Sequence, residues 1–555
     1  MRRRDFMRTG LLGAGAVALG PAFWEEALAA APATPGPGPY GPLLAPDANG
    51  IMLPAGFRSR IVARGQVPVE NTTYPWHIFS DGQATFPTAD GGYILTANSE
   101  APATAGGGAS AIRFDKDARI QDAYRILANT SSNCSGGGTP WGTWLSCEEM
   151  DAGRVWECDP TGKKAAIVRP AMGVFSHEAA AVDPGGRRVY LTEDNGDGGF
   201  YRFTPTAYPD LSAGLLEIAV AGPAGETTNG GKVTWVAVPD PSAATMPTRK
   251  QVGATKFRRG EGIWFDSGTV YVATTSDDRI YGYDTTGESI ELVYDGDAIA
   301  AAGGQTPLSD VDNITVSRQS GDLFVCEDSG NPDPFDIAII TPDREVARFL
   351  KLTGPQHGTG QAISETTGVI FDPSGTRMYF SSQRGFGVGV VYEITGPFRL
   401  ERAGGPTKGP PPLALLAGLR APGSIATSAF RRRGLPVTVE LSKMARISLT
   451  LKAGGVTLAR ATRDGEQGGE RFTLEPTAAG RRYLSGRRRV PARLVATATA
   501  DGQTSSDERQ VVLRGASGGG PGSGRGPNGR PNGSRNQRVS QGGRRNRRRQ
   551  RFSGR

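Results

Sequence analysis

Acidic residues recur along this 555-residue sequence where short repeated segments begin and where they end. Each segment opens on a polar or acidic residue, continues through an apolar run and a glycine-centred turn, and ends in a polar cluster. The opening residues of the six segments are Asp81, Asn133, Glu178, Glu261, Asp312 and Glu365. Near the ends of four segments lie Glu100, Glu148, Glu193 and Glu327. Acids gathered at one radius of a fold repel one another unless cations lie among them.

The available ligand types limit which metals such a cluster can bind. The sequence has only three His and four Cys, which argues against a His-rich zinc or copper site and against a disulfide scaffold. Carboxylate oxygens suit calcium. A thiolate in the same ring, for which Cys147 is the candidate, suits a softer transition metal. The alternative is that these polar residues only cap strands and bond backbone groups.

The repeat itself predicts the elements that position these residues. Most opening residues are 45 to 53 positions apart, which is the size of a four-stranded propeller blade. The longer gap between Glu178 and Glu261 predicts an insertion. We therefore expect an all-β fold with a six-bladed β-propeller over residues 51–400. The innermost strands of the blades run along one axis, so equivalent positions should converge there.

The remaining segments have different compositions. The segment 412–515 contains alternating apolar and polar runs and is predicted to be a small β-sandwich. Residues 516–555 are rich in Arg and Gly and should be disordered. Residues 30–50 resemble a linker. Residues 1–29 form a predicted twin-arginine signal, with Arg3-Arg4 before a short apolar run and Ala27-Leu28-Ala29 as the cleavage site.

The charge distribution bears on location and partners. The formal charge is +8, but the tail alone carries eleven Arg and no acid, and the body between signal and tail is mildly acidic. We therefore expect no nucleic-acid partner for the folded body. No segment of the mature protein approaches transmembrane length, so we also expect no transmembrane span there. The expected location is outside the cytoplasm, in the periplasm, the cell envelope or the medium. The tail is expected to bind an anionic envelope polymer, although a merely solvated tail fits its composition equally well.

Four segments carry a resemblance to a known family. The longest is the run Asn-Cys-Ser-Gly-Gly-Gly-Thr-Pro-Trp-Gly-Thr-Trp-Leu-Ser-Cys-Glu-Glu at 133–149. The others are Ser176-His177-Glu178, Thr192-Glu193-Asp194-Asn195 and Ser364-Glu365-Thr366-Thr367-Gly368. Together they resemble the PhoX family of bacterial alkaline phosphatases.

The resemblance implies a six-bladed propeller, export by the twin-arginine route, and hydrolysis of phosphomonoesters. It also implies an iron pair bridged by a cysteine, with calcium ions nearby. Cys147 matches the bridging thiolate and Arg259 resembles a phosphate-binding arginine, and we group Asn133 with Arg259 as catalytic. The expected metal ligands are Cys147, Glu148, Glu178, Glu193, Glu261, Asp312 and Glu327.

Two other functions remain open at this point. A calcium-dependent lactonase or esterase also places acids on a propeller axis. A non-catalytic envelope protein would use the propeller as a binding platform. Cys147 in the ring favours iron over calcium alone, and therefore favours the phosphatase.

Overall fold

A computed structural model of the chain describes residues 31–328, 335–358, 364–401, 416–441, 444–465, 468–500 and 503–515. The predicted signal at 1–29 and the predicted disordered tail at 516–555 lie outside the described residues. Strands dominate what is described, as the sequence predicted. The α-helices are α1 (Gly296–Ala301), α2 (Thr427–Arg433) and α3 (Ala478–Tyr483). Short 3-10 turns occur at Ala103–Ala105, Pro170–Met172, Thr248–Lys250, Thr275–Asp277, Pro355–His357 and Gly385–Gly387.

The strands fall into two groups along the chain. The first group is β1 (Thr34–Pro35), β2 (Ile51–Met52), β3 (Arg58–Arg64), β4 (Ser80–Pro87), β5 (Tyr93–Ser99), β6 (Gly108–Phe114), β7 (Ile120–Ala128), β8 (Asn133–Gly138), β9 (Trp144–Glu148), β10 (Val155–Cys158), β11 (Ile167–Val168), β12 (His177–Asp183), β13 (Arg188–Glu193), β14 (Phe200–Ala207), β15 (Asp210–Val220), β16 (Gly230–Lys232), β17 (Thr234–Ala237), β18 (Gly260–Asp266), β19 (Thr269–Thr274), β20 (Arg279–Asp284), β21 (Ser289–Asp295), β22 (Val311–Val316), β23 (Leu323–Glu327), β24 (Asp336–Ile340), β25 (Glu345–Leu352), β26 (Thr366–Phe371), β27 (Arg377–Ser382) and β28 (Val390–Thr395). The second group is β29 (Leu416–Arg420), β30 (Ser424–Ala426), β31 (Leu435–Leu441), β32 (Ala445–Ala453), β33 (Val456–Gly465), β34 (Gly468–Leu474), β35 (Arg489–Ala500) and β36 (Gln503–Arg514).

The first group forms six small sheets. In chain order their strand orders are β4-β5-β6-β7, β8-β9-β10-β11, β12-β13-β14-β15-β17, β18-β19-β20-β21-β16, β22-β23-β24-β25-β1 and β26-β27-β28-β3. In the fifth sheet β2 also pairs with β25. The first strand of each sheet contacts the first strand of the next, and β26 of the last sheet contacts β4 of the first. These six strands, called the inner strands below, therefore form a closed ring.

Apolar clusters fill the spaces between successive sheets. One joins Leu145 of β9 to Leu191 of β13, and another joins Ile370 of β26 to Leu95 of β5. Because each sheet packs on both faces, β22 and β26 are buried at every residue and show no alternation of apolar and polar positions.

Strands from both ends of this region pair with each other in the sixth sheet. The β3 strand precedes the first sheet in sequence but pairs antiparallel with β28 in the sixth. Residues 30–50, predicted to be a linker, also contribute a strand to this group, because Thr34-Pro35 pairs with Glu345-Val346 at the outer edge of the fifth sheet. A Pro tolerates this edge position since it needs to donate no ladder hydrogen bond there.

The second group forms two further sheets around a separate apolar core. Their strand orders are β29-β31-β34 and β30-β36-β35-β32-β33. In β32 the buried residues alternate with more exposed ones, as expected for a sheet with one face against a core. Among the residues described, no helix is long and apolar enough to cross a membrane.

Candidate metal centre

Every inner strand contains the same irregularity near its start. The pairing with the neighbouring strand shifts so that two residues on the inner strand are skipped, which is a β-bulge. The shifts lie between Ser80/Gln83, Asn133/Gly136, His177/Ala180, Gly260/Ile263, Val311/Ile314 and Thr367/Ile370. The first skipped residues are Asp81, Cys134, Glu178, Glu261, Asp312 and Gly368. The equivalent position therefore holds four carboxylates and one thiol.

These side chains converge into three overlapping groups that can hold cations. In each group one ligand atom from every member lies within 4.8 Å of the others. The groups are Asp81, Glu100 and Cys134; Cys134, Glu149 and Glu178; and Glu178, Glu261 and Asp312. Because Cys134 and Glu178 are each shared by two groups, the whole set forms one continuous cluster.

Glu178 is the central residue of this cluster. Its side chain is fully buried, and neither carboxylate oxygen has a hydrogen-bond partner among the described residues. Burial raises the pKa of Glu178 well above its usual value, and the nearby carboxylates of Glu261 and Glu149 raise it further. A buried carboxylate without a donor is costly unless a proton or a cation neutralises it.

Among the carboxylates around Glu178, Asp81 is buried, whereas Glu100 and Glu149 are half-buried. Burial raises the pKa of Asp81 to about 7, with the charge of Glu100 as the next cause. Burial and a hydrogen bond with Asp194 raise the pKa of Glu149 to about 10. On this side of the cluster the amide of Gln383 donates to Asp81 at 2.7 Å and to Glu100 at 2.5 Å, and Arg384 lies 4.0 Å from Glu100.

Cys134 supplies the thiol of the cluster, and Cys147 does not. Cys134 is buried, and burial followed by the charges of Asp81 and Glu178 raises the pKa of its thiol. Cys147 is also buried, but it lies in the apolar core between the second and third sheets with Leu145 and Val155. The structure therefore transfers the candidate thiolate ligand from Cys147 to Cys134. Cys134 lies in the bulge of the inner strand β8, so its side chain reaches the cluster. Cys147 lies on the neighbouring strand β9, which is farther from the centre of the ring.

Arg259 lies at the edge of the cluster on the residue before β18. Its backbone has a left-handed φ of 51°. Its guanidinium makes two 3.0 Å hydrogen bonds to Asp194, lies 2.9 Å from Glu261 and contacts Asp328 at 3.4 Å. About a third of the side chain, 37%, remains exposed, so a cation reaches solvent beside the buried acids.

Four other predicted site residues are engaged elsewhere. Asn133 accepts from Thr130 and donates to Ser146, so both ends of its amide bond to neighbouring residues. Glu193 forms an ion pair with Arg249 at 2.7 Å, and Glu327 accepts hydrogen bonds from the backbone of Ser309 and Asp336. Glu148 lies near the backbone N–H of Ser131. None of Asn133, Glu148, Glu193 and Glu327 belongs to the three groups found among the described residues.

The sequence contained a signal for the residues that replace them. Glu149 follows Glu148 directly, and Cys134 follows Asn133, so at both places the residue in the cluster comes one position after a residue that the sequence analysis named. In the other repeats an apolar residue soon follows the acid and shows how the inner strands align. The β8 strand continues as Ser-Gly-Gly-Gly after Cys134, so it offers no such marker, and the sequence does not fix its register. An acid directly before Gly or Ala occurs at three of the six bulges, at Asp81-Gly82, Glu178-Ala179 and Glu261-Gly262, so this pattern marks only part of the set.

The cluster is a chemically coherent site for cations. It combines hard carboxylate oxygens with one soft sulfur ligand, so it can hold both calcium-like and transition-metal ions. Arg259 adds a planar cation with a geometry suited to phosphate or carboxylate oxygens. The expected iron and calcium ions therefore fit the donors that are present.

Comparison with known proteins agrees with this chemistry. A family profile described as alkaline phosphatase PhoX matches residues 100–385, which is just over half of the chain and contains most of the cluster. A search of curated proteins gave no match.

Solved structures with similar shapes are distant in sequence. A gluconolactonase from Xanthomonas campestris is 14% identical, covers 65% of this chain and 99% of its own, and has a TM-score of 0.33. A protein of unknown function from Bacteroides thetaiotaomicron is 9% identical over 61% of this chain and 76% of its own, with a TM-score of 0.37. The WD40 repeats of RRP9 are 8% identical over 64% of this chain and all of their own, with a TM-score of 0.35.

Proposed function

Because the chain belongs to the PhoX family of alkaline phosphatases, we propose that it hydrolyses phosphomonoesters at a metal cluster on the axis of a six-bladed β-propeller. The closed ring of inner strands supports the propeller, since each of the six sheets packs against the next. The family assignment makes the chain a phosphatase, and the remaining questions are which residues hold the metals and which residue holds the phosphate.

The observation that carries the proposal is the bare carboxylate of Glu178. It is buried among other acids, has no hydrogen-bond donor among the described residues, and lies between the thiol of Cys134 and the carboxylates of Glu261 and Asp312. A purely structural acid at this depth would be expected to have a donor, as Glu193 has in Arg249 and Tyr201. Cations are the partners that match this arrangement.

We assign the metals by the chemistry of the donors. The group that contains Cys134, Glu149 and Glu178 would hold iron, because a thiolate favours a transition metal. The group with Asp81 and Glu100, and the group with Glu261 and Asp312, offer the carboxylate oxygens that calcium prefers. When bound, these ions would supply Lewis acidity at a phosphoryl oxygen and a lowered pKa for coordinated water.

Arg259 would hold the phosphate group of the substrate. Its guanidinium is fixed by two hydrogen bonds to Asp194 and still has exposed surface beside the cluster. A cation at this position offsets the charge of the surrounding carboxylates, which would otherwise repel a dianionic ester. The remaining N–H donors can bind phosphate oxygens and orient the phosphorus for attack.

The decisive experiment compares two cysteines in the same sequence run. Cys134→Ser should lose iron and phosphomonoester turnover, because a hydroxyl is a much weaker ligand than a thiolate. Cys147→Ser, the matched control, should keep its iron and its turnover per folded molecule. It should lose only stability, by about 1–3 kcal/mol, because it buries a hydroxyl in an apolar core. Metal analysis and hydrolysis of an aryl phosphate check both variants.

Three results would overturn the proposal. The first is a Cys134→Ser protein with full iron and full activity. The second is a parent protein that hydrolyses lactones but no phosphoesters, which would indicate the lactonase alternative. The third is a parent protein that binds neither iron nor calcium and hydrolyses neither class of ester, which would indicate a binding platform.

The location of the enzyme is part of the same proposal. The twin-arginine pattern at Arg3-Arg4 would deliver the folded and metal-loaded protein outside the cytoplasm. The substrate would then be a small phosphoester available in the periplasm or at the cell surface. The basic tail would add affinity for an anionic envelope polymer.

A further inference from the structure

Charge is divided sharply between the two groups of strands. Residues 30–411 contain 30 Lys and Arg against 44 Asp and Glu, whereas residues 412–515 contain 18 Lys and Arg against 8 Asp and Glu. The mildly acidic body inferred from the whole sequence is therefore the sum of an acidic ring and a strongly basic second unit. The basic residues of that unit are not spread evenly over its surface.

Nine arginines gather at one end of the second unit, and we call them the arginine edge. They are Arg431, Arg432, Arg433, Arg481, Arg482, Arg487, Arg488, Arg489 and Arg514. All of them are exposed except Arg431, which is half-buried. They come from four separate segments: the end of α2, the end of α3, residues 487–488 with the first residue of β35, and the end of β36.

Direct contacts bring these segments together. The guanidinium of Arg431 donates to the carbonyl of Arg481 at 2.8 Å, and that of Arg481 donates to the carbonyl of Arg431 at 3.0 Å, which joins α2 to α3. Arg489 is paired with Arg514 across β35 and β36. Arg514 is also paired with Ala426, the residue that leads into α2. The arginine edge is therefore continuous.

The arginine edge lacks compensating acids. Within the described part of the chain, none of the nine arginines forms an ion pair with a carboxylate. The ion pairs found in this unit involve other arginines and join Arg446 to Asp464, Arg463 to Glu470 and Arg493 to Glu508. Like charges at this density repel one another, and a bound anion would remove the repulsion.

The tail of the chain cannot be that anion. It follows directly from Gly515, whose backbone N–H donates to the carbonyl of Arg488 within the arginine edge. The tail contains eleven Arg and no acid, so it adds to the positive charge. Among the described residues no acid of the ring forms an ion pair with these arginines either, so we look for the acidic partner in another molecule.

We propose that the arginine edge is a docking surface for a flexible polymer with repeating phosphate groups and no bases. Guanidinium groups match phosphate oxygens, and several of them along one edge match charges that repeat along a chain. Base recognition normally needs free aromatic rings. The aromatic side chain at this edge, Tyr483, is covered by Arg487 at 4.2 Å. This docking function is independent of the proposed catalysis.

The test measures binding of full-length protein variants to inorganic polyphosphate. One variant carries Arg432→Gln, Arg433→Gln, Arg482→Gln and Arg488→Gln, which spares the arginines that join α2 to α3. The matched control carries Arg446→Gln, Arg460→Gln, Arg471→Gln and Arg493→Gln, so it loses the same charge from exposed positions elsewhere in the unit. Both keep the basic tail, whose contribution is then common to all proteins compared.

The edge variant should bind polyphosphate roughly tenfold or more weakly than the parent at low salt, with a smaller dependence of affinity on salt. The control should bind like the parent, and Lys at the four edge positions should restore most of the affinity. Equal loss in both Gln variants would overturn the proposal, because it would reflect net charge only. Tighter binding to single-stranded DNA or to anionic lipid vesicles than to polyphosphate of equal charge would also overturn it, in favour of a nucleic-acid or membrane surface.

Discussion

At the scale of single residues, Arg259 links the fold to the proposed chemistry. Its left-handed backbone is unfavourable for a residue with a side chain, at a cost of order 1 kcal/mol. The hydrogen bond from its own N–H to the carbonyl of Asn195 at 2.8 Å and the paired contacts with Asp194 hold it there. The side chain is therefore positioned before any substrate arrives.

We expect Arg259→Ala to retain its metals and to lose phosphomonoester turnover by roughly 10²-fold, the scale of one lost transition-state donor. Arg259→Lys should recover only part of the loss, because an ammonium group lacks the planar pair of donors. Inorganic phosphate should inhibit the parent more strongly than it inhibits Arg259→Ala. Steady-state kinetics with metal analysis checks these outcomes. The exposed neighbour Arg258→Ala is the control, and equal losses in the two Ala variants would argue against a specific role for Arg259.

The sequence prediction and the structure agree on some members of the candidate cluster and differ on others. Glu178, Glu261 and Asp312 were predicted and come together in one group. Cys147 and Glu148 were chosen over Cys134 and Glu149 because all four lie in one motif, and motif membership does not reveal which strand faces the centre. That choice depends on a single-residue register, which only the pairing of β8 with β9 fixes.

Among the elements of the fold, the bulge repeated in the inner strands brings the side chains of the candidate metal centre together. Beside Glu261 the bulge needs a small residue, because the neighbouring inner strands approach closely there. A Cβ atom on Gly262 would lie 2.6 Å from the backbone nitrogen of Ile314 and 2.7 Å from the Cα of Asn313. Backbone atoms cannot move aside as a flexible side chain can. The spacing of β18 and β22 therefore depends on this glycine.

Gly262→Ala should separate β18 from β22 and so weaken the group formed by Glu261 and Asp312. We expect loss of a bound cation and a stability loss of about 1–3 kcal/mol. Gly138→Ala, on the inner strand β8, is the control, because its added Cβ would meet side chains only at ordinary distances of 3.5 Å or more. Calcium titration and thermal unfolding of both variants check this. Identical calcium affinity in the two proteins would refute the role given to the close approach.

The strands themselves were largely predictable, and the bulges were not. Apolar runs flanked by glycine turns mark β13, β19 and β27 in the sequence, and the mostly-β fold they predicted is confirmed. In the sixth sheet the predicted opening residue Glu365 precedes the strand and pairs with Arg384, while the equivalent position is Gly368. A bulge adds one residue without any characteristic side chain, so spacing alone misassigns it.

At the scale of the whole molecule, the buried acids couple stability to pH. Burial raises the folded-state pKa of Glu178 well above its usual value, that of Glu149 to about 10 and that of Asp81 to about 7. The folded protein therefore keeps protons that the unfolded chain releases above about pH 4. The stabilisation is complete at a pH below the pKa values of these groups in the unfolded chain. It is lost as the pH rises through their pKa values in the folded protein.

Protein stripped of metal should consequently show a melting temperature that falls from about pH 5 to about pH 9. Protein loaded with iron and calcium should lose much less over the same range, since the cations stabilise the charged carboxylates. Thermal unfolding with and without a chelator, in buffers of constant ionic strength, gives both curves. Parallel curves for the two forms would show that the acids are not metal ligands.

The proposed twin-arginine signal leads to a prediction about export of the whole chain. Replacing Arg3 and Arg4 together by Lys should leave the precursor in the cytoplasm, because the twin-arginine receptor reads the guanidinium pair. Fractionation of cells that express the two forms measures this. Normal export of the double Lys variant would refute the proposed route.

The pairing of β3 with β28 also fixes when the ring can form. A ribosome releases Arg58–Arg64 long before it has made Val390–Thr395. The early strand β3 therefore has no pairing partner until β28 has been synthesised, and the sixth sheet is completed only then. Contacts of such long sequence separation make folding slow. Until then the inner edges of the unfinished ring stay open and the acids around Glu178 remain apart. Metal loading is therefore expected as a late event, after synthesis has passed residue 395, and a chain translocated during synthesis would reach the outside without its centre.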